Sequence, residues 1–262
     1  MKSISAALWS EILKVRRSKI FWITILVFLF IPFMMGLLMF IQKYPEIASK
    51  LGMIGTKASM LRFGKADWLT YLGLLTQTVA GIGLIGFGFV TSWVFGREYS
   101  DHTAKDMLAL PVSRSLIVLS KFIVVAIWCI LLTFIFFVFG LIIGGMIHIS
   151  GWSYVMALHY AYRFTATSML TILLCTPVGF FASYGRGYLP PVGFVIFTLI
   201  VAQFSGLVGL GPYFPWAIPG LYSVAGSAGN SQLAVVSYII LFLISVLGLI
   251  GTVAWWRFAD QY

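Results

Sequence analysis

The sequence has very little charge for its length. Its 262 residues include 17 lysines and arginines and 7 aspartates and glutamates, so 9% of the chain is charged, while 61% is apolar. Soluble domains carry about 25% charged residues, and a chain with so few cannot cover a water-facing surface. These proportions exclude a water-soluble globular fold, and lipid is the expected solvent for most of the chain.

Residues that support catalysis or metal binding are also scarce. Cys129 and Cys175 lie inside apolar runs without metal-ligand spacing, which favours two buried small side chains over a disulfide. The three histidines form no His-Glu-x-x-His pair, and no Gly-x-Ser-x-Gly sequence occurs. We therefore expect a non-catalytic chain without a bound metal or cofactor of its own.

The sequence also lacks the motifs of an energy source. It contains no Gly-x-x-x-x-Gly-Lys-Ser/Thr loop for the phosphates of ATP. The centres of its predicted membrane spans hold no ionisable side chain of the kind that ion-driven carriers titrate. If the chain moves a solute, we expect a partner protein to supply the driving force.

Long apolar runs are what the sequence has in abundance. A transmembrane helix needs about 20 apolar residues, and six runs of about this length or longer occur. They cover residues 20–41, 69–95, 116–147, 164–184, 191–210 and 235–256. The predicted fold is an all-α integral membrane protein with six transmembrane helices, forming a single domain over residues 1–262.

The segment before the first run, residues 1–19, has the pattern of an amphipathic helix. Ile4, Leu8, Ile12 and Val15 recur on one helical face, and Glu11 and other charged residues lie off that face. This pattern favours a helix lying in the membrane interface. A short soluble helix end is the alternative.

The segment before the last run, residues 211–234, is apolar but interrupted by proline. Pro212, Pro215 and Pro219 remove backbone donors and prevent one continuous helix, while Tyr213 and Trp216 suit the membrane interface. We predict an outer re-entrant hairpin buried against other helices. A plain surface loop is the alternative.

The basic residues indicate the orientation. Six spans place both termini on the same side, and cytoplasmic loops accumulate lysine and arginine. An N-terminus inside the cell places eleven basic residues in the cytoplasm and six outside, among them Arg163 in an outer loop. We therefore predict cytoplasmic termini and a multi-pass protein of a bacterial plasma membrane. The basic residues are dispersed among apolar segments, so the net charge of +10 fits an anionic membrane surface and not nucleic acid.

The loop between the second and third predicted spans carries a recognisable signature. Glu98 at the end of the second span is followed by Thr103, a Pro-x-Ser-Arg element ending at Arg114, and Lys121 opening the third span. This order and spacing resemble the permease subunits of type 2 ABC exporters (ABC-2 type). Within that family the chain looks most like bacitracin-export and lantibiotic-immunity permeases.

The resemblance implies a coupling role for the cytoplasmic loop over residues 96–115. In the family, such a loop forms a coupling helix that docks on a separately encoded ABC ATPase, present in two copies, which binds ATP and magnesium. A second permease subunit, identical or different, completes the transporter. The residues expected to couple this chain to the ATPase are Arg97, Glu98, Asp101, Thr103, Lys105, Met107, Leu108, Pro111, Ser113 and Arg114. On the residues alone, a mere connecting turn is equally compatible with this segment.

The expected substrate pathway lies at the interface of the two permease subunits and is lined chiefly by the second and fifth spans, with membrane lipid as a further partner of the chain. Its candidate residues are Gln77, Thr78, Phe87, Thr91, Gln203 and Ser205. Each of them also fits a packed span residue with one helix-to-helix hydrogen bond. A path without deep charge suits an amphipathic peptide antibiotic, a drug or a lipid-like molecule that leaves the cell or membrane. The rival hypotheses are a non-transporting immunity or assembly protein that binds a peptide or lipid, and a secondary carrier.

Overall fold

The computed structural model describes residues 2–50, 65–101, 113–224 and 233–258, without the side chains of 2–4 and 48–50. In these ranges every regular element is helical, and one isolated β-bridge joins Asp67 to Ser150. The α-helices are α1 (Lys2–Arg16), α2 (Lys19–Lys43), α3 (Pro45–Lys50), α4 (Trp68–Ser100), α5 (Arg114–Met146), α6 (Tyr154–Leu173), α7 (Cys175–Tyr184), α8 (Leu189–Leu207), α9 (Ile218–Val224) and α10 (Val235–Phe258). Two 3₁₀ turns, Gly211–Tyr213 and Pro215–Ala217, precede α9.

The prediction of six transmembrane helices is confirmed for the part of the chain that the structure describes. α2, α4, α5, the α6–α7 pair, α8 and α10 are each long and apolar enough to cross a membrane. α4 and α5 have 33 residues each, which corresponds to about 50 Å against a hydrocarbon core of about 30 Å. Both helices therefore project beyond the hydrocarbon or tilt strongly.

The predicted start of the fourth span was wrong by about ten residues. The helix begins at Tyr154, so Arg163 lies inside it and not in an outer loop. His159, Arg163 and several hydroxyl-bearing residues lowered the apolar signal, although the helix continues through them. Pro177, which cannot donate a backbone hydrogen bond, lies near the break between α6 and α7. There the Thr176 hydroxyl donates to the Leu173 carbonyl oxygen at 3.0 Å.

The N-terminal helix exists, and part of its predicted apolar stripe packs on the bundle. Val15 is buried and Leu8 is partly buried, whereas Ile12 and Trp9 are exposed. Glu11, expected on the polar face, is 2% exposed. It lies inside because basic side chains of two other helices surround it.

α4 is the central helix of the bundle. In its most apolar stretch 72% of the residues are buried, against 17% for α8. The Tyr71 hydroxyl of α4 donates to the Gly140 carbonyl oxygen of α5 at 3.0 Å. Glycine lets α5 approach this closely, since a Cβ atom at Gly140 would lie 2.7 Å from Leu75. Gly140 thus mediates the packing of α5 on α4.

The six spans give the bundle two distinct ends. At one end Arg114 donates to the carbonyl oxygens of Trp256 and Arg257, both at 3.3 Å, which joins the start of α5 to the end of α10. At the other end Lys43 donates to the carbonyl oxygens of Ile147 and His148, joining α2 to the end of α5. We call these the charged end and the opposite end. α1 lies at the charged end.

The loop and the hairpin are only partly within the described residues. α4 continues to Ser100, so Arg97 and Glu98 belong to the span helix itself and not to a separate loop helix. Residues 102–112, which contain most of the predicted coupling helix, lie outside the described residues, as do 225–232 of the predicted hairpin. The described part of that hairpin, residues 211–224, consists of short helical turns, as its prolines require.

Candidate functional site

Five ionisable side chains meet at the charged end of the bundle. Glu11 and Lys14 come from α1, Arg97 and Glu98 from the last turns of α4, and Lys121 from the second turn of α5. Lys121 is fully buried, and Glu98 and Glu11 are 1% and 2% exposed. We call these five residues the charge cluster.

Each carboxylate of the cluster lies near all three cations. Glu98 lies 2.8 Å from Lys121, 3.3 Å from Arg97 and 3.5 Å from Lys14. Glu11 lies 2.9 Å from Lys14, 3.3 Å from Lys121 and 3.6 Å from Arg97. Neither carboxylate is paired with only one cation, so the five groups form one network.

Further contacts hold the cations in place. The Lys121 ammonium donates to the Val94 carbonyl oxygen at 3.0 Å, and the Arg97 guanidinium lies 4.6 Å from the Trp93 ring centroid. Buried ions cost free energy unless they are paired and hydrogen-bonded. These contacts offset the free-energy cost of burying Lys121, and the ion pairs connect α1, α4 and α5.

The charge cluster links three elements through buried ion pairs. Displacing α1 from the bundle separates Glu11 from two cations of other helices, and displacing α4 against α5 separates Glu98 from Lys121. Removing one partner of a buried ion pair costs about 3–5 kcal/mol. The arrangement therefore favours rigid-body motion of the joined helix ends over independent motion.

The remaining described residues of the predicted coupling set lie at the surface. Asp101 caps the end of α4 and is exposed, while Ser113 precedes α5 and Arg114 begins it, both exposed. Thr103, Lys105, Met107, Leu108 and Pro111 lie outside the described residues. Glu98 has its carboxylate inside the protein, so it faces the chain's own cations and not a surface.

At the opposite end, two predicted pathway residues meet in a cavity. Gln77 of α4 and Gln203 of α8 line a cavity of about 310 Å³, which Trp216 of the second 3₁₀ turn and Leu221 of α9 close on one side. Both glutamines are exposed in the single chain. In the described residues no charged side chain lines this cavity. The cavity offers neutral amide groups surrounded by apolar walls.

The other four predicted pathway residues lie elsewhere. Thr78 and Thr91 are buried and donate to carbonyl oxygens of their own helix. Phe87 is buried and stacks on Phe28, with ring centroids 5.5 Å apart. Ser205 donates to Ala202 of its own helix at 2.9 Å. The structure thus brings together Gln77 and Gln203 and places the other four outside this cavity.

A second depression lies on the same face, nearer the charged end. It has a volume of about 330 Å³ and is formed by Thr24 and apolar residues of α2, α4 and α8, including Ile23, Phe89 and Val192. We call it the apolar groove. The α4–α8 face therefore presents an apolar groove and then a cavity with two amides, in order from the charged end.

The sequence had not revealed that Glu11 belongs to the site. Its partner Lys121 is 110 residues away, and no local pattern shows such a pairing. The local sequence shows only that Glu11 is an acidic residue in a helix whose other charged residues are basic.

Among the described residues no group of three histidine, cysteine or acidic side chains can hold a metal ion.

The fold and these two regions define a multi-pass α-helical membrane protein with an ion-paired end and a cavity-bearing end. The family model described as ABC-2 family transporter protein matches residues 7–202. The chain is 30% identical over 223 residues to the bacitracin transport permease protein BCRB of Bacillus licheniformis, covering 83% of this chain and 97% of that protein. The chain belongs to the ABC-2 transporter family and is a membrane permease of an ABC transporter.

Proposed function

We propose that this chain is the membrane subunit of an ATP-driven exporter that moves an amphipathic peptide antibiotic, a drug or a lipid-like molecule outward. Two copies of a separate ATPase subunit bind and hydrolyse ATP with magnesium. The permease itself performs no chemistry. It pairs with a second permease subunit, and both termini face the cytoplasm of a bacterial plasma membrane.

The basic surface of the charged end supports this orientation. Arg16, Arg17, Lys19, Arg186 and Arg257 are exposed at or next to that end. Cytoplasmic loops of membrane proteins are enriched in such residues, because the adjacent leaflet is anionic. α1, with Trp9 and Ile12 exposed, lies in the interface of that leaflet.

The charge cluster supports a coupling role for the charged end. The loop over residues 96–115 docks on the ATPase, with Asp101 and Arg114 available at the surface. Glu98 acts indirectly: it transmits movement of the loop to α5 through Lys121 and to α1 through the cluster. ATP-driven closure of the ATPase pair thereby moves the joined helix ends as a unit.

The observation that carries the transport proposal is the pair of exposed glutamines at the cavity. An exposed amide at membrane depth is costly in lipid, so protein, water or cargo must cover Gln77 and Gln203. A second permease subunit facing α4 and α8 encloses both the apolar groove and the cavity. Cargo then passes from apolar walls to walls with hydrogen-bonding groups.

The name of the relative suggests the first cargo to test. That protein is a bacitracin transport permease, and bacitracin is an amphipathic peptide antibiotic. We propose that this chain exports a molecule of that class, which confers antibiotic resistance on the cell. The hairpin before α10 re-enters the membrane at the outer side and closes the cavity there.

Co-purification tests the proposal. Expressed with an ABC ATPase encoded beside it, the chain should co-purify with that ATPase, and bacitracin should stimulate ATP hydrolysis by the complex. A chain that binds bacitracin without any associated ATPase would instead be an immunity or assembly protein. Transport that continues without ATP but depends on an ion gradient would indicate a secondary carrier.

The coupling assignment has its own test. Arg114→Ala should abolish bacitracin resistance while the protein stays in the membrane, because the loop loses a surface contact and its link to α10. Lys19→Ala is the matched control, since Lys19 is an exposed cation at the same end outside the coupling set. Full resistance in the Arg114→Ala strain would refute the assignment.

A further inference from the structure

Arg163 is a buried cation of α6, within the fourth segment that is long and apolar enough to cross a membrane. It is the tenth residue of α6, is 6% exposed and, within the described ranges, has no carboxylate within ion-pair distance. Ionisable side chains at membrane depth are costly and usually serve a function. The charge cluster does not include Arg163, and neither the groove nor the cavity is lined by it.

The partners of Arg163 are backbone carbonyl groups of α9. Its Nη2 atom donates to the Tyr222 oxygen at 2.8 Å and to the Ser223 oxygen at 3.0 Å. The last carbonyls of a helix lack partners in that helix and carry the negative end of its dipole. The guanidinium therefore caps α9 from a different helix.

α9 needs such an external contact. It has seven residues and contains Pro219, and helices this short are not stable by themselves. Gly220, Leu221 and Val224 of α9 line the cavity that contains Gln77 and Gln203. The position of this cavity wall therefore depends on contacts from outside α9, which are the packing of the buried Ile218 and the bonds from Arg163.

We propose that Arg163 is a positioning residue that fastens the segment 211–224 as a lid over the cavity, and that the lid opens when these bonds break. The proposal rests on the proposed function, because it assigns the lid to the release side of the export pathway. Arg163 acts through α9 and does not touch the cargo. Bonds from a cation to carbonyls suit this role, since water can replace each of them when the lid moves.

A cysteine reporter at Gly220 tests the lid. A Cβ atom at Gly220 meets no atom within 4 Å, so Gly220→Cys should be accommodated without strain. The natural cysteines, Cys129 and Cys175, are buried and give little background. The permease in lipid nanodiscs is labelled with a charged, membrane-impermeant methanethiosulfonate, and the rate is compared among Arg163 variants.

We expect the labelling rate of the reporter to rise by different amounts in the two Arg163 variants. Arg163→Gln should raise the labelling rate of the reporter by about fivefold or more, because α9 loses its charged cap. Arg163→Lys keeps a cation with fewer fixed donors and should give a smaller rise, about twofold. The matched control is Lys43→Gln, because Lys43 also donates to backbone carbonyls at the opposite end but holds α5 and not α9.

Equal labelling of parent, Arg163→Gln and Arg163→Lys would overturn the proposal, and so would an equal rise in Lys43→Gln. Faster labelling of Cys129 in a chain without the reporter would show general loosening, which also counts against a lid. If Arg163→Gln does not fold, Arg163→Lys carries the test, and a parental rate overturns it. The assay needs neither ATPase nor cargo, so its failure leaves co-purification with the ATPase untouched.

Discussion

At the charged end of the bundle five ionisable side chains pair with one another, whereas at the opposite end Arg163 and Lys43 donate to backbone carbonyls. The first arrangement joins α1, α4 and α5 through buried charges, and separating them exposes ions that lack partners. The second fastens a short helix with bonds that water can replace. Under the proposed function, force enters through the ion-paired end, and cargo leaves through the end that carbonyl bonds fasten.

The largest expected effect is that of Lys121→Met. This change leaves Glu98 and Glu11 buried without the cation that lies 2.8 Å and 3.3 Å from them. The free energy of unfolding should fall by about 3–5 kcal/mol. Unfolding of the purified chain by SDS in mixed micelles measures this, and a loss below about 1 kcal/mol would contradict the role of the charge cluster.

A double variant distinguishes the loss of the Glu98–Lys121 ion pair from the cost of leaving one of its charges buried without the other. Replacing Glu98 by Leu together with Lys121→Met removes both ions, and apolar side chains of similar volume then fill the space. The double variant should be more stable than Lys121→Met alone by about 2 kcal/mol. It should still fail to transport, since the link between α4 and α5 is gone. Restored transport would show that the pair serves stability only.

Glu11→Gln should have an intermediate effect. Glu11 contacts three cations, but Lys14 is 38% exposed and can turn to water. We expect a loss of about 2 kcal/mol in unfolding free energy, together with weaker attachment of α1. The control is Glu46→Gln, an exposed glutamate at the opposite end, for which the change should stay within about 0.5 kcal/mol. Equal losses of unfolding free energy in the two variants would show that Glu11 contributes no more to stability than an exposed glutamate at the opposite end.

The smallest effect on stability is expected at the cavity. Gln77→Leu and Gln203→Leu each replace an exposed amide by an apolar side chain, so the unfolding free energy should change by less than about 1 kcal/mol. The cargo range should change instead, because the cavity loses a hydrogen-bonding group. Resistance assays with several peptide antibiotics measure this, and an unaltered resistance profile in both variants would argue against a pathway through the cavity.

The six spans could be predicted because uncharged apolar runs of about 20 residues are typical of membrane-spanning helices and rare in soluble domains. The sequence predicts a loop position for Arg163 because hydropathy averages over all faces of a helix, whereas α6 buries Arg163, Thr167 and Ser168 inside the bundle. The burial of Glu11 could not be predicted, since its partners Arg97 and Lys121 belong to distant segments. Gln77 and Gln203 were recognisable as strong polar groups within apolar runs, which is why their meeting could be anticipated.

The central proposal is that the charged end receives force from the ATPase and that the opposite end releases cargo. The most direct test measures the rate of ATP hydrolysis by the reconstituted permease–ATPase complex as a function of bacitracin concentration. Glu11→Gln should retain basal hydrolysis but lose stimulation, because the charged end no longer moves as a unit. Gln203→Leu should keep the maximal stimulation and shift the half-maximal bacitracin concentration. If both variants changed the same parameter, or if Glu11→Gln were stimulated like the parent, the division of labour between the two ends would be wrong.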